Sequence, residues 1–298
     1  MTGPLDILCI GSVLWDVIGR SASHMRVGSD VPGRISRHPG GVAMNIAMTL
    51  KRFGLTPALL TAIGRDAEGC DLVARCDRMG LGTEYIYRSD DLPTDRYMAI
   101  EGANGLIAAI ADAHSLEAAG DKILRPLADG RLGSETAPFP GRIALDGNLT
   151  TALLAEIAQS PLFAAADLRV APAGPGKAER LLPLLPQPNA TLYVNLEEAG
   201  LIAAQRFDTA PAAAAALQQQ RGAARVLVTD GGNPAAEAGP HGLITATPPP
   251  VLVTRVTGAG DSFMAAHIAA EARGETPPEA LQTALRAAAA HISGDTDL

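Results

Sequence analysis

The chain has 298 residues, 47% hydrophobic and 19% charged, a balance that supports a sizeable folded core and excludes an intrinsically disordered chain. A net charge of -8 leaves no broad basic surface for duplex DNA or anionic lipid. With 3% aromatic residues there is little on which single-stranded nucleic acid could stack, although 24 Lys and Arg residues suffice for a local pocket around one small anion.

The amino-terminal stretch MTGPLDILCIGSVLWD carries an acid at Asp6 and no basic run, so no signal peptide is expected. No apolar run reaches the roughly 18 residues that span a bilayer, and a soluble, cytoplasmic chain is expected. Leu5 to Ile10 is a short apolar run ending at Gly11-Ser12 and predicts a buried strand. Apolar residues at helical spacing (Ile46, Ala47, Leu50, Phe53) predict a helix from Ala43 to Phe53, stopped by Gly54. Pro57 to Ala62 reads as a strand and Glu68 to Met79 as a helix.

Further on, Arg142 to Leu145, Leu168 to Ala171, Ala190 to Val194 and Ala224 to Thr229 are strand-sized. Between them, Leu153 to Gln159, Ala178 to Leu185 and Ala210 to Gln220 suit helices. Pro248-Pro249-Pro250 is a rigid spacer before a last strand, Val251 to Val253, and a closing helical region. Strands alternating with helices predict an α/β fold, an open and mostly parallel sheet flanked by helices.

Two regions break the alternation. Ser21 to Pro39 is polar and punctuated by Gly and Pro, and Tyr85 to Ala111 reads as short strands (YIYR, RYMAIEG, GLIAAIA) joined by turns. They form either a small separate sheet or an antiparallel edge of the main one. Cys9, Cys70 and Cys76 lack zinc-finger spacing and read as free thiols of a reducing compartment.

RVTGAGDSFMAAHIAA, Arg255 to Ala270, carries the strongest chemical signal. The small residues Thr257-Gly258-Ala259-Gly260 precede a helix beginning near Asp261, and backbone N–H groups at such a start form an anion-binding nest. Asp261 at its edge is placed either to accept a proton from an attacking hydroxyl or simply to cap the helix dipole. In PGGVAMNIAMTLKRFG, Gly40 and Gly41 allow close backbone approach to a polyhydroxylated ligand, and Asn45 can donate to and accept from vicinal hydroxyls. A purely structural Gly-Gly turn is the alternative. Asp16, just past the first strand, is a ligand contact or an ordinary loop residue. In YVNLEEAGLI, Asn195 ends a strand and Glu198 lies three residues on, a pair suited to a metal–phosphate group or to plain helix capping. Thr229 and Gly231, in VLVTDGG, lie where a nucleotide's phosphates could rest.

At these residues the chain resembles the ribokinase-like (PfkB) family of sugar and nucleoside kinases. One signature matches at Gly40-Gly41, Asn45, Ala47, Gly54 and Gly64, another at Thr257-Gly258-Ala259-Gly260-Asp261, and Asn195/Glu198 occupies the N-x-x-E position between them. The resemblance runs from about Asp6 to Ile292 and implies a single ribokinase-like domain over 1–298 with a β-sheet lid from about 20–39 and 84–112. It further implies Asp261 as catalytic base, with Gly258, Ala259 and Gly260 as the anion hole. Asp16, Gly40, Gly41 and Asn45 would bind substrate. Asn195, Thr229, Gly231, Thr257, Gly258 and Gly260 would bind ATP, and Glu198 would hold Mg2+ through water. Homodimerisation through the lid is expected, with no nucleic-acid or membrane partner.

Within the family, TDRYMAIEGANGLIAAIADAHSLE and ALDGNLT (with Asp146 and Asn148) are similar to the pseudouridine-kinase branch. That adds Thr94, Tyr97 and Asp112 as lid residues, of which Thr94 and Asp112 would approach the base or ribose, and makes the 5′-hydroxyl of pseudouridine the expected acceptor. Ribose, a ketose or adenosine are the alternative acceptors, and a non-catalytic nucleoside or sugar sensor is the alternative outside enzymology. Two positions depart from the pattern. Arg255 stands where the family has an acid that helps bind a monovalent cation, so that ion is not implied and a guanidinium could take its place. Ala171-Pro172 replaces a common Asp-Pro.

Overall fold

The computed structural model describes residues 5–254 and 257–294. β1 (Ile7–Ile10) is an unbroken apolar run, buried throughout, as a strand covered on both faces must be. Next come β2 (Leu14–Arg20) and β3 (Arg34–Gly40), then α1 (Val42–Arg52), which buries Met44, Ile46, Ala47 and Leu50. β4 (Pro57–Leu60) and β5 (Ala62–Gly64) lead to α2 (Ala67–Arg78), whose N-cap Asp66 accepts from Gly69 N. β6 (Tyr87–Ser89), β7 (Arg96–Gly102) and β8 (Gly105–Asp112) precede two short helices, α3 (Ser115–Ala119) and α4 (Arg125–Ala128).

The second half keeps the α/β rhythm: β9 (Arg142–Asp146), α5 (Thr151–Gln159), β10 (Asp167–Ala171), β11 (Ala190–Asn195), α6 (Leu196–Ala203), α7 (Ala210–Arg221) and β12 (Arg225–Asp230). Between β10 and β11 the expected α-helix is a 3-10 segment, Pro175–Leu184; Pro183 inside it has no N–H for an α-helical bond. A hairpin the sequence did not announce follows, β13 (Asn233–Gly239) and β14 (Gly242–Ala246). The chain closes with α8 (Ala259–Ala272) and α9 (Pro277–Ser293). Val251 to Val253, expected as a strand, has no regular structure: Leu252 is 81% exposed and no neighbouring strand pairs with it.

The large sheet has the order β14-β13-β12-β11-β10-β9-β1-β4. β4 through β12 run parallel, and the β13–β14 hairpin adds an antiparallel edge. Alternation along β1 divides the interior. Leu8 and Ile10 enter one core with α5, α6 and α7, while Ile7 and Cys9 enter the other with α1, α8 and α9. The architecture is the open, mostly parallel α/β sheet that the alternation of strands and helices predicts.

A second sheet, β3-β2-β7-β8, stands beside the first. It begins earlier than the expected lid, at Leu14, so Asp16 lies inside a strand of it instead of in a loop. Residues 21–33 contribute no strand, and Tyr87–Ser89 pairs with Ala62–Gly64 in a separate ribbon. One face of this sheet carries Trp15, Val17, Arg37, Met98 and Ile110; the other carries Asp16, Ile18, His38, Tyr97 and Ala111.

Candidate active site

α8 begins in a glycine turn. Gly258, the N-cap, has φ 85 and ψ 0, a left-handed conformation that an L side chain resists, and no side chain caps the helix. The first intrahelical bond runs from Ser262 N to Gly258 O, so the N–H groups of Ala259, Gly260 and Asp261 precede the ladder. A Cβ built on Gly260 would meet nothing within 4 Å, so the helix start is uncrowded beside this residue. His291 on α9 holds the turn from behind, its Nε2 lying 2.9 Å from Thr257 O.

Asp261 sits in the first turn of α8. Burial raises its pKa to about 7, helped by the negative charges of Asp146, Glu198 and Asp16 and opposed by a hydrogen bond from Asn45. Asn45 Nδ2 donates to Asp261 Oδ2 at 2.9 Å. The two signatures, 216 residues apart, are thereby joined side chain to side chain.

The Gly40-Gly41 pair is shaped by close approach. A Cβ on Gly40 would lie 2.0 Å from Asp16 Oδ2, and one on Gly41, at φ 96, would lie 2.4 Å from Ser12 O. Gly40 thus makes room for the Asp16 carboxylate, which burial pushes up to about 6 against the opposing charge of His38. Beneath the pair lies Asp146, fully buried, whose carboxylate accepts from Ser12 N at 2.8 Å, Ala43 N at 3.0 Å and Asn148 N at 2.8 Å. Those three donors come from the ends of β1 and β9 and the start of α1, so Asp146 locks the floor of the site together.

Asn195 and Glu198 form a capping box: Glu198 N donates to Asn195 Oδ1 and Asn195 N donates to Glu198 Oε2, both at 2.8 Å. Asn195 Nδ2 and Glu198 Oε1 remain available for a ligand. Burial raises the Glu198 pKa, opposed by the Asn195 N–H. Thr229 is the register partner of Asn195 on β12, and Gly231, at φ 54, follows it with open space beyond.

Two expected substrate residues are elsewhere. Thr94 is 1% exposed and its hydroxyl donates to Asp66 Oδ1 at 2.6 Å, with Thr94 N donating to Oδ2 at 2.8 Å. It ties β7's approach to the start of α2, and Cβ atoms on Gly64 or Gly69 would strike it. Asp112 lies on the Trp15 face of the smaller sheet, 3.9 Å from Arg96 Nε and turned from Asp16. On Asp16's own face the cross-strand residue is Tyr97. Strand alternation is the signal that separates the two. Arg255 lies outside the described residues.

Among the described residues no helix is long and apolar enough to cross a membrane. Residues 4–295 match the model of the pfkB family carbohydrate kinases. The pseudouridine kinase of Escherichia coli K12 is 29% identical over 87% of this chain and 81% of its own. The Arabidopsis thaliana pseudouridine kinase is 29% identical over 35% of this chain, a match that spans only 27% of that longer protein. A carbohydrate kinase from Agrobacterium tumefaciens superposes with a TM-score of 0.82 at 24% identity, over 99% of this chain and 94% of that one. Arabidopsis thaliana ribokinase complexed with ribose and ATP superposes with a TM-score of 0.79 at 20% identity, over 97% and 92%. The structural likenesses speak for the fold alone. With a family match spanning nearly every residue, the chain belongs to the pfkB family of carbohydrate kinases.

Proposed function

We propose that the protein transfers the γ-phosphoryl group of ATP to the 5′-hydroxyl of pseudouridine, giving pseudouridine 5′-phosphate. The observation that carries the reading is Asp261, oriented by Asn45 and set beside three unpaired helix N–H groups. A carboxylate there takes the hydroxyl proton, and Ala259 and Gly260 N–H groups stabilise charge on the transferring phosphoryl oxygens. Phosphoryl transfer asks for little covalent participation by the protein, so alignment and charge complementarity supply most of the rate.

Asp16 and Tyr97 share the face that would meet the nucleoside, with Gly40 leaving the carboxylate room. Asn195, Thr229 and Gly231, at the adjacent ends of β11 and β12, suit the nucleotide phosphates. Among the described residues no cluster of three or more His, Cys, Asp or Glu could hold a metal directly. The donor set therefore fits Mg2+ carried mainly on phosphate oxygens and water, with Glu198 Oε1 in its outer sphere. When bound, Mg2+ neutralises phosphate charge. The need for ATP favours a cytoplasmic location.

The likeness to two pseudouridine kinases supports this acceptor. A second copy of the chain is the proposed partner. Ile35 at 80%, Ile110 at 61%, Met98 at 42% and Ile100 at 37% exposure lie on one face of the smaller sheet, an apolar patch a like sheet would cover.

A panel assay of ADP release with pseudouridine, uridine, adenosine, ribose and fructose 6-phosphate tests the reading. The highest kcat/KM is expected with pseudouridine. Preference for another acceptor overturns the substrate assignment, and no ADP release with any overturns the kinase assignment.

A further inference from the structure

Among the described residues, the segments that end β9, β10, β11 and β12 and open α1 and α8 carry Asp146, Glu197, Glu198, Asp230 and Asp261 and one Lys or Arg, Lys177. The negative charges of Asp146, Glu198 and Asp16 act on Asp261 here and push its pKa upward. A nucleoside triphosphate brings several more negative charges. Positive charge from the protein, beside that of a divalent cation, would favour such a ligand.

Lys177 supplies it. It follows β10 at the start of the 3-10 segment, where ligands of an open α/β sheet gather. Its Nζ donates to Asn148 Oδ1 at 2.6 Å, and Asn148 N donates in turn to Asp146 at 2.8 Å. Asp146 also accepts from Ala43 N, in the same first turn of α1 as the Asn45 that holds Asp261. A Cβ on Gly147 would lie 3.1 Å from Ala173 N, so the β9 and β10 loops are packed on one another. Among the described residues no carboxylate lies within 4.0 Å of Lys177 Nζ; its one side-chain partner is a neutral amide. The next cation along, Arg180, is instead committed to Glu117 at 2.8 Å and to the carbonyls of Asn148 and Leu149.

We propose that Lys177, held by Asn148, is a phosphate-binding residue that contacts the β- or γ-phosphate oxygens of the nucleotide. This rests on the kinase reading above. The amide fixes the ammonium without neutralising it, leaving two N–H donors for an anion.

The test is calorimetric binding of AMP-PNP with Mg2+, and of AMP, to the full chain and to Lys177→Met, Lys177→Arg and Asn148→Ala. Loss of a charged hydrogen bond predicts AMP-PNP binding weakened roughly tenfold or more in Lys177→Met, with AMP affinity unchanged. Lys177→Arg should recover most of the loss, and Asn148→Ala should show a smaller loss in the same direction. If Lys177→Met does not fold, Asn148→Ala carries the decision. Equal AMP-PNP affinity in the full chain and the variants overturns the proposal, as does a loss confined to the acceptor. No AMP-PNP binding by the unaltered chain overturns the kinase reading itself, a result distinct from the others.

Discussion

The Asn45 amide donates to the Asp261 carboxylate across 2.9 Å, so the first turn of α1 orients the acid in the first turn of α8. That bond favours the ionised acid, while burial and three neighbouring carboxylates favour the protonated one. The balance leaves Asp261 poised near neutrality, where a base can both hold and release a proton.

The acid limb of kcat/KM for the acceptor should therefore fall as pH drops through about 7, because protonated Asp261 cannot accept a proton. Asn45→Ala removes a bond that lowers this pKa, and the limb should move to higher pH. Asp261→Asn should reduce turnover by roughly two to four decades with acceptor binding nearly intact. Steady-state kinetics from about pH 5.5 to 9, with equilibrium binding, reads all three.

Gly40→Ala should act on the acceptor alone. Its new methyl would occupy the position of the Asp16 carboxylate, 2.0 Å away, and force that side chain to rotate. The acceptor KM should rise roughly tenfold or more, the worth of one or two charged hydrogen bonds, with the ATP KM little changed. An unaltered acceptor KM would remove Asp16 from the binding site.

Below the site, α8 is fastened to the sheet by buried charges. Arg169 bonds Asp167, Tyr193 and Glu271; Arg225 bonds Glu237 and Glu271; Tyr193 meets His267 Nδ1 at 2.9 Å. Arg169→Met takes the guanidinium from Glu271 Oε2, while Arg225 still holds Oε1, and should destabilise the fold by about 1–3 kcal/mol in urea denaturation.

The same network has a pH signature. Burial works against the charged form of Glu271, yet Arg169, His267 and Arg225 hold its pKa down to about 2. A carboxylate depressed on folding contributes stability above its unfolded pKa, about 4.3, and loses it as pH falls toward the folded value. Stability should decline over that interval, and less steeply in Glu271→Gln, as followed by denaturant midpoints at stepped pH.

Ile110→Glu should turn the proposed dimer into a monomer in sedimentation equilibrium. Ile110 and Met98 are register partners on the exposed apolar face, and a charge buried there without a partner is unfavourable. A chain that is monomeric before substitution would dispose of the interface.

The α/β alternation was legible because β1, β4 and β9 to β12 are compact apolar runs bounded by turn residues. Gly40, Gly41 and Gly258 stand out because close approach or a positive φ restricts residue type, and they mark the helix starts that carry Asn45 and Asp261. The β13–β14 hairpin was not: NPAAEAG has no β-branched residue and becomes a strand through its partner β12. Val251 to Val253 shows the converse, high strand propensity with no ladder to join. For Thr94 and Asp112, a local pattern does not say which face a residue takes or which neighbour claims its hydroxyl. Asp146 was visible as a residue, but its three backbone partners come from segments distant in sequence.

β1 sends Ile7 and Cys9 to one side of the sheet and Leu8 and Ile10 to the other. Deleting or inserting one residue between Asp6 and Gly11 would exchange the two sets, turning every side chain inside out. The same slip would carry Gly11 and Ser12 off the Asp146 carboxylate. This short strand should therefore tolerate conservative replacement while refusing any change in length.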